Sequence, residues 1–224
     1  MQLSDHVAFV TRVGTEAGRT AALALAREGA AVFVTDASAD KAAAVAAEIV
    51  RRNGKAASAG HDITDEAAWE AAITAVKAGL GSPTILVNGP PDMLQRPIAS
   101  LSLDAFRQAE AINITGPWLG LRHGILAMRE AGKGGSIMTL STLAAKRPAA
   151  GSAANTAAAG GVRIMSRAAA LECGNQSDGI RINLIELTEA TPADELAGAV
   201  LYFAGPDSRF ATGSEITLGA GVLP

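Results

Sequence analysis

The chain has few of the residues that mark several classes of protein. It contains one cysteine, Cys173, so it cannot form an intramolecular disulfide, and this usage is typical of a reducing compartment. Aromatic residues make up 4% of its 224 residues, and Tyr202 is the single tyrosine. No apolar run approaches the ~20 residues that a membrane-spanning helix requires. We therefore expect a cytoplasmic protein without a membrane partner.

An excess of positive charge is also absent. The formal net charge is -3, and no run of basic residues stands out. Nucleic acids and anionic membranes are bound by basic surfaces, so neither is an expected partner. The histidines at 6, 61 and 123 have no metal-site spacing, and no metal is predicted. Residues 1–5 carry no basic stretch, so we expect no signal peptide.

What the chain does contain is a regular alternation of strand and helix patterns, with 49% hydrophobic residues. The predicted strands are 7–11, 31–35, 56–60, 84–87, 136–141, 180–184 and 215–218, and the predicted helices are 17–28, 39–53, 66–80, 103–131, 153–174 and 193–204. The long helix 103–131 is expected to be weakened near Gly116-Pro117. The alternation predicts one α/β domain over 1–224, a Rossmann-like doubly wound parallel sheet of about seven strands with helices on both faces.

Short motifs occur along the chain in a fixed order. They are 11–18 (TRVGTEAG), 88–91 (NGPP), 111–116 (AINITG), 135–142 (GSIMTLST), 180–183 (IRIN) and 210–213 (FATG). In this order the chain resembles the short-chain dehydrogenase/reductase family, one-domain dinucleotide-dependent oxidoreductases. The resemblance covers essentially the whole chain and implies a site built from asparagine, serine, tyrosine and lysine.

The resemblance places those four functions at Asn113, Thr142, Asn155 and Ala159. Asparagine is retained, and threonine, preceded by Ser141, stands where the family has serine. The tyrosine and lysine that carry the proton chemistry are absent. An amide does not titrate near neutral pH, so Asn155 cannot act as the acid or base.

No other side chain is expected to replace the missing pair. Tyr202 lies in the last predicted helix, away from the site. Lys146 and Arg147 follow a strand end, and we interpret both as solvated loop charges.

The glycine-rich turn of the family, Thr-Gly-x-x-x-Gly-x-Gly, retains only Gly18 at its expected place. Arg12 replaces the first glycine and Glu16 the second. We interpret Glu16 as the more damaging change, because it brings a carboxylate to the place where phosphate approaches the backbone. Arg12 is interpreted as an exposed surface arginine, with attraction of an anion as the alternative.

Three polar residues resemble the remaining cofactor apparatus. Asp36 stands where the family binds the ribose hydroxyls of NAD, and Asp62 where it contacts adenine. Each is alternatively a loop or capping carboxylate. Asn88 is expected to brace the sheet, whereas Pro90 and Pro91 remove two backbone donors beside it. We expect that this chain binds no cofactor, or NAD if it binds any.

The segment after Asn183 lacks the Pro-Gly turn and the mobile lid of the family. It is about two dozen residues shorter than the family pattern, so the substrate lid is predicted to be deleted. The helices 103–131 and 153–174, by contrast, keep the residues that in this family resemble a four-helix dimer contact. The end of the chain, 215–224, resembles a second subunit contact.

The catalytic tyrosine and lysine, the glycine-rich turn and the lid are altered, whereas the helices that resemble a subunit contact are kept. This selective loss predicts a degenerate family member that serves as a subunit. It would assemble, as a tetramer for example, with an active homologue or with itself. The resemblance extends to hydroxyacyl-CoA dehydrogenases of the benzylsuccinyl-CoA pathway type, which pair an active with a degraded chain. Two alternatives remain: an atypical oxidoreductase that uses Thr142 and Asn113, and a dinucleotide or metabolite sensor that binds through Asp36 and Asp62.

Overall fold

The computed structural model describes residues 2–188 and 190–219 as one sheet with helices on both faces. The strands are β1 (Val7–Val10), β2 (Ala31–Asp36), β3 (Lys55–Gly60), β4 (Ile85–Asn88), β5 (Gly135–Thr142), β6 (Ile180–Leu187) and β7 (Glu215–Leu218). The helices are α1 (Glu16–Arg27), α2 (Ala39–Arg51), α3 (Glu66–Gly79), α4 (Leu103–Glu110), α5 (Gly116–Ala131), α6 (Ala153–Gln176) and α7 (Ala193–Ala204). The seven strands pair in parallel in the order β3-β2-β1-β4-β5-β6-β7. The predicted fold class is confirmed.

Each face of the sheet has its own apolar core, because parallel strands are covered on both sides. Adjacent residues of β1 point to opposite cores: Val10 packs beneath α1, α2 and α7, and Phe9 beneath α3, α5 and α6. Cys173 lies in the second core. Burial raises the pKa of its thiol to about 11, so it behaves as a small apolar side chain.

The predicted helix 103–131 is interrupted. A π-helical turn, Ala111–Thr115, separates α4 from α5. Pro117 has no N–H to donate to the carbonyl of Asn113, so the regular helical hydrogen bond is lost at this point. Gly116 is required by packing, since a Cβ there would lie 2.7 Å from Ile63 Cδ1. The irregular turn places Asn113 beside the carboxyl ends of β4 and β5.

Strand β6 is longer than the predicted strand 180–184, because its last residues pair on both sides. Leu187 lies opposite Thr142 of β5 and Leu218 of β7. Residues 188–192 then lead directly into α7, which leaves no length for a lid; Glu189 among them lies outside the described residues. The predicted subunit contact 215–224 is described only to residue 219, and residues 220–224 lie outside the description.

Two findings on the described residues concern membrane-spanning helices and metal sites. Within residues 2–188 and 190–219, no helix combines the length and the apolarity that crossing a bilayer demands. The same ranges contain no group of three or more histidine, cysteine or acidic side chains arranged to hold a metal ion.

His61 belongs to an aromatic cluster in the second core. Its ring packs edge-on against Trp69 with centroids 4.5 Å apart, and its Nδ1 lies 3.1 Å from Thr35 Oγ1. The residue is 3% exposed. Burial lowers the pKa of His61 from 6.5 to about 4, since the charged ring would lose its hydration.

We expect stability to fall on acidification because of His61. Between pH 6.5 and 4 the unfolded chain binds a proton at this ring that the folded chain does not bind. The contribution of neutral His61 to the free energy of unfolding is complete above pH 6.5. It decreases by on the order of 3 kcal/mol as the pH drops toward 4. The free energy of unfolding, measured by urea denaturation at several pH values between 6.5 and 4, should therefore fall less steeply with decreasing pH in His61→Gln than in wild type. If the free energy of unfolding depends on pH equally in His61→Gln and in wild type, the low pKa assigned to His61 is contradicted.

Candidate functional site

The predicted site residues lie around the carboxyl ends of the strands β1 to β5, on the strand ends themselves, on the π-helical turn and on α6. The strand order reverses between β1 and β4, and in open α/β sheets such a switch point forms a crevice where ligands bind. The turn after β1, the chain after β4 and the N-terminal half of α6 meet at this crevice. It is therefore the place where nucleotide and substrate would be expected.

The turn between β1 and α1 keeps the backbone course that a glycine-rich turn requires. Thr15 caps α1, with its Oγ1 accepting from Gly18 N at 3.2 Å and donating to Arg12 O at 2.7 Å. A Cβ on Gly18 would lie 2.4 Å from Arg12 O, so only glycine fits there. The retained glycine is thus explained by close packing of the helix on the turn.

Arg12 adopts φ 57°, the left-handed region that side-chain-bearing residues rarely adopt. Its guanidinium forms an ion pair with Asp92, in the chain that follows β4. The backbones of the two strand ends are also joined, since Gly89 N donates to Thr11 Oγ1 at 2.9 Å. The side chain of Arg12 is 17% exposed, so its interpretation as an exposed surface arginine is wrong. It spans the crevice at the switch point.

Glu16 lies in the first turn of α1 and is exposed, where an acidic residue complements the helix dipole. It lines an open depression of about 300 Å³ together with Thr188 and Thr191. Its carboxylate lies beside the N-terminus of α1, and the interpretation of Glu16 as the more damaging change stays a prediction. Arg12 also narrows the crevice, because its guanidinium pairs with Asp92 on the other side.

The two acidic residues assigned to the adenosine half are engaged by their own chain. Asp36 accepts hydrogen bonds from Gly14 N at 2.8 Å and from Ser38 N at 3.1 Å, which ties the glycine-rich turn to the end of β2. Asp62 accepts from Thr64 N at 2.9 Å and from Thr64 Oγ1 at 2.7 Å, and these bonds lower the pKa of its carboxyl. Both positions have the geometry of the loop carboxylate alternative.

Asn88 lies at the end of β4 and is buried. Its Nδ2 donates to Thr139 Oγ1 at 3.2 Å and to Pro117 O at 3.4 Å, which connects β4 to β5 and to α5. Gly120 of α5 must be glycine, since a Cβ there would lie 1.9 Å from Asn88 Oδ1. Asn88 braces the sheet and faces away from the crevice.

The four catalytic positions come together in space. Asn113, Thr142, Asn155 and Ala159 line one cavity whose volume is about 20 Å³. This volume holds about one water and no substrate. Thr142 Oγ1 is buried in it without a hydrogen-bond partner in the described part of the chain.

The cavity is small because the chain after β4 lies in it. Asn113 pairs with the backbone of Asp92, its Oδ1 accepting from the N–H and its Nδ2 donating to the carbonyl, both at 2.8 Å. Asn155 pairs with Leu94 in the same way, at 3.1 and 3.0 Å. Sequence reasoning missed this segment, although Pro91 and Pro97 at its ends favour an extended backbone.

The other side chains considered as replacements do not reach the cavity. Lys146 lies 2.6 Å from Glu186 Oε2 and 2.7 Å from Glu215 Oε1, and Glu186 is 1% exposed. Its interpretation as a solvated loop charge is wrong, whereas Arg147 is exposed as predicted. Burial opposes the charge of Lys146, but hydrogen bonds to the two carboxylates outweigh it and raise its pKa. Tyr202 is partly exposed on α7.

The parallel sheet with its glycine-containing turn and switch-point crevice defines a protein of the Rossmann-fold class. A family model described as enoyl-(acyl carrier protein) reductase matches residues 17–190. The chain belongs to the short-chain dehydrogenase/reductase family.

Known relatives match along nearly the full chain. The 2,5-dichloro-2,5-cyclohexadiene-1,4-diol dehydrogenase of Sphingobium indicum is 29% identical over 245 positions, covering 98% of this chain and 97% of the relative. The 3-beta-hydroxysteroid dehydrogenase of Comamonas testosteroni is 32% identical over 184 positions, covering 82% and 70%. The crystal structure of a short-chain type dehydrogenase/reductase from Mycobacterium marinum superposes with a TM-score of 0.94 at 26% identity, covering 100% of this chain and 97% of that one.

The dinucleotide that the family implies does not fit the residues present. Arg12 spans the crevice where the pyrophosphate would lie close to the backbone. Asp36 is hydrogen-bonded to the turn itself. The backbone of residues 92–94 fills the cleft in front of Asn155. A nicotinamide could reach this cleft only if both the arginine and the segment moved.

Proposed function

We propose that this chain is a non-catalytic subunit, which assembles with an active homologue in an NAD-dependent hydroxyacyl or alcohol dehydrogenase. The observation that carries the proposal is the closed cleft: an amide and a methyl group occupy the positions of the acid and its activating lysine, and about 20 Å³ remains between them. Positioned proton transfer contributes ~10²–10⁴ to a rate, and nothing lining this cavity titrates near neutral pH. The hydroxyacyl substrate class rests on the resemblance alone.

The surface that would bind the partner is an apolar stripe on α5 and α6, here called the assembly face. Its exposed members are Trp118, Leu126, Ile164 and Leu171. Between the two helices lies a groove of about 370 Å³, floored by Ala168 and Ala169. Exposed large apolar residues grouped in this way mark an interaction surface.

The chemistry of the assembly face favours a homologue as partner. On α5 the groove-lining residues recur with helical spacing at 118, 121, 122, 125, 126 and 129, and on α6 at 165, 168, 169 and 172. Small residues on α6 allow close approach of another helix, and the long side chains on α5 can fill the space that such a helix leaves. A protein that presents the same two helices satisfies both requirements around a two-fold axis.

A second candidate is an atypical oxidoreductase, which the unpartnered hydroxyl of Thr142 favours. Asn113, its proposed helper, has both amide groups bonded to Asp92. If the purified protein oxidises an alcohol and this alternative holds, Thr142→Ala should abolish the activity. If the activity comes from a contaminant, the substitution should leave it unchanged.

The test of the proposed function is co-expression with an intact homologue encoded in the same genome, followed by native mass spectrometry and an NAD-linked assay. We expect a stable mixed oligomer whose activity survives only while the homologue keeps its own tyrosine. Calorimetry of this chain alone with NAD, NADH or NADPH should give no heat at millimolar concentration, and a clear binding isotherm would favour a sensor. A chain that stays monomeric beside every intact homologue contradicts the proposal.

Placing a charge on the assembly face should weaken assembly. Leu171 is 70% exposed in the single chain, so Leu171→Glu should fold normally but introduce an uncompensated carboxylate into the buried contact. We expect the dissociation constant of the oligomer to rise by about 100-fold or more, measured by analytical ultracentrifugation. Val50 is exposed on α2, far from this face, and Val50→Glu should leave the dissociation constant unchanged.

A further inference from the structure

The chain that enters the cleft, here called the cleft segment (residues 91–97), has neither helical nor strand structure. It is held at alternate residues. Asp92 pairs with Asn113, Leu94 pairs with Asn155, and Arg96 N donates to Gly151 O at 2.8 Å. Alternate residues of an extended chain face the same side, so these contacts present one edge of the segment to the π-helical turn, to α6 and to the turn before α6.

The contact made by Asn155 suits a carboxamide in particular. A carboxamide offers one acceptor and one pair of donor hydrogens side by side, the same arrangement as a backbone N–H and carbonyl. Asn155 uses both, accepting from Leu94 N and donating to Leu94 O. The residue is 4% exposed, so a side chain here that could not satisfy Leu94 would leave buried polar groups unpaired.

The ends of the cleft segment are restrained as well. Arg12 holds Asp92 through its guanidinium, and Arg12 Nε is buried without a partner in the described part of the chain. Pro91 and Pro97 restrict the backbone at both ends, and the residue that precedes a proline is biased to extended conformations. The prolines therefore restrict the ends of the segment, whereas residues 92–96 between them are held by the contacts with Asn113, Asn155 and Gly151.

We infer that Asn155 acts as a backbone clamp, a residue that holds the cleft segment in the substrate cleft as an intramolecular occupant. The ligand of this site is an extended peptide backbone, and the chain supplies it from its own residues 92–96. The residue at the tyrosine position therefore has a positioning role. This role is independent of any partner subunit, so it is tested on the isolated chain.

The experiment is amide hydrogen exchange, read by NMR at single residues. Asn155→Ala should accelerate exchange of the Leu94 and Arg96 amides by about tenfold or more, while Leu86 in β4 keeps its wild-type rate. Asn155→Asp keeps the acceptor for Leu94 N but cannot donate to Leu94 O, so it should give an intermediate rate at Leu94. Asn175 is exposed on the same helix, and Asn175→Ala should change none of these rates.

A second readout uses chymotrypsin, which should cleave after Leu94 faster in Asn155→Ala than in wild type. An unchanged Leu94 rate in Asn155→Ala would overturn the inference. So would an equal acceleration at Leu94 and Leu86, because Asn155 would then support the whole fold and not the segment. If the alanine variant does not fold, a wild-type Leu94 rate in Asn155→Asp would overturn it equally.

Discussion

Purified alone, this chain should oxidise secondary alcohols with NAD or NADP at least ~10³-fold more slowly than an active relative of its family. Two independent causes act together. No group at 155 or 159 can take or give a proton near neutral pH, and Arg12 with the cleft segment fills the space that cofactor and substrate would need. The measurement is the absorbance of NADH with a panel of alcohols. The 3-beta-hydroxysteroid dehydrogenase of Comamonas testosteroni, assayed with its own hydroxysteroid, provides the reference rate.

Restoring the missing pair tests whether the second cause is real. Asn155→Tyr combined with Ala159→Lys supplies the phenol and the ammonium but leaves Arg12 across the crevice. We expect this double variant to remain without measurable turnover. Adding Arg12→Gly removes the side chain from a position whose φ of 57° glycine adopts freely, and it should give the first detectable NADH binding. Turnover by the wild-type chain within about tenfold of the reference would refute both causes.

Lys146→Met should destabilise the fold by about 3 kcal/mol, the largest stability effect that we expect from a single substitution here. Lys146 is the cation bonded to Glu186, whose carboxylate is 1% exposed. Without it, Glu186 keeps only the hydroxyl of Thr217, at 2.7 Å, as a hydrogen-bond donor among its described contacts. Leaving a buried charge without its counter-ion lowers the free energy of unfolding far more than removing an exposed ion pair does. Urea unfolding at pH 7 measures the difference.

Two further variants separate this cause from loss of side-chain packing. Arg147 is the exposed neighbour, and Arg147→Met should change the free energy of unfolding by less than about 0.5 kcal/mol. Lys146→Met combined with Glu186→Gln removes both charges and should recover most of the loss. A double variant as unstable as Lys146→Met alone would show that the charge on Glu186 is not the cause.

The local elements of this fold could be predicted from periodicity, because strand and helix patterns depend on neighbouring residues. The interrupted helix was predicted only in part: Gly116-Pro117 indicated a weak point, but the π-helical turn lies before it, at Ala111–Thr115. The four catalytic positions were found through motif order, and they line one cavity. The role of Arg12 was misjudged, because its partner Asp92 lies 80 positions away along the chain.

The sequence by itself determined the alternation of strands and helices, and it determined that no titrating pair stands at 155 and 159. Both are properties of residue type and short spacing. Only the tertiary structure decided that the cleft is closed, since the Leu94–Asn155 pairing joins residues 61 positions apart. It also decided that Lys146 pairs with Glu186, 40 positions away, in place of facing solvent. Contacts of this kind depend on how strands order in the sheet, and no local pattern encodes them.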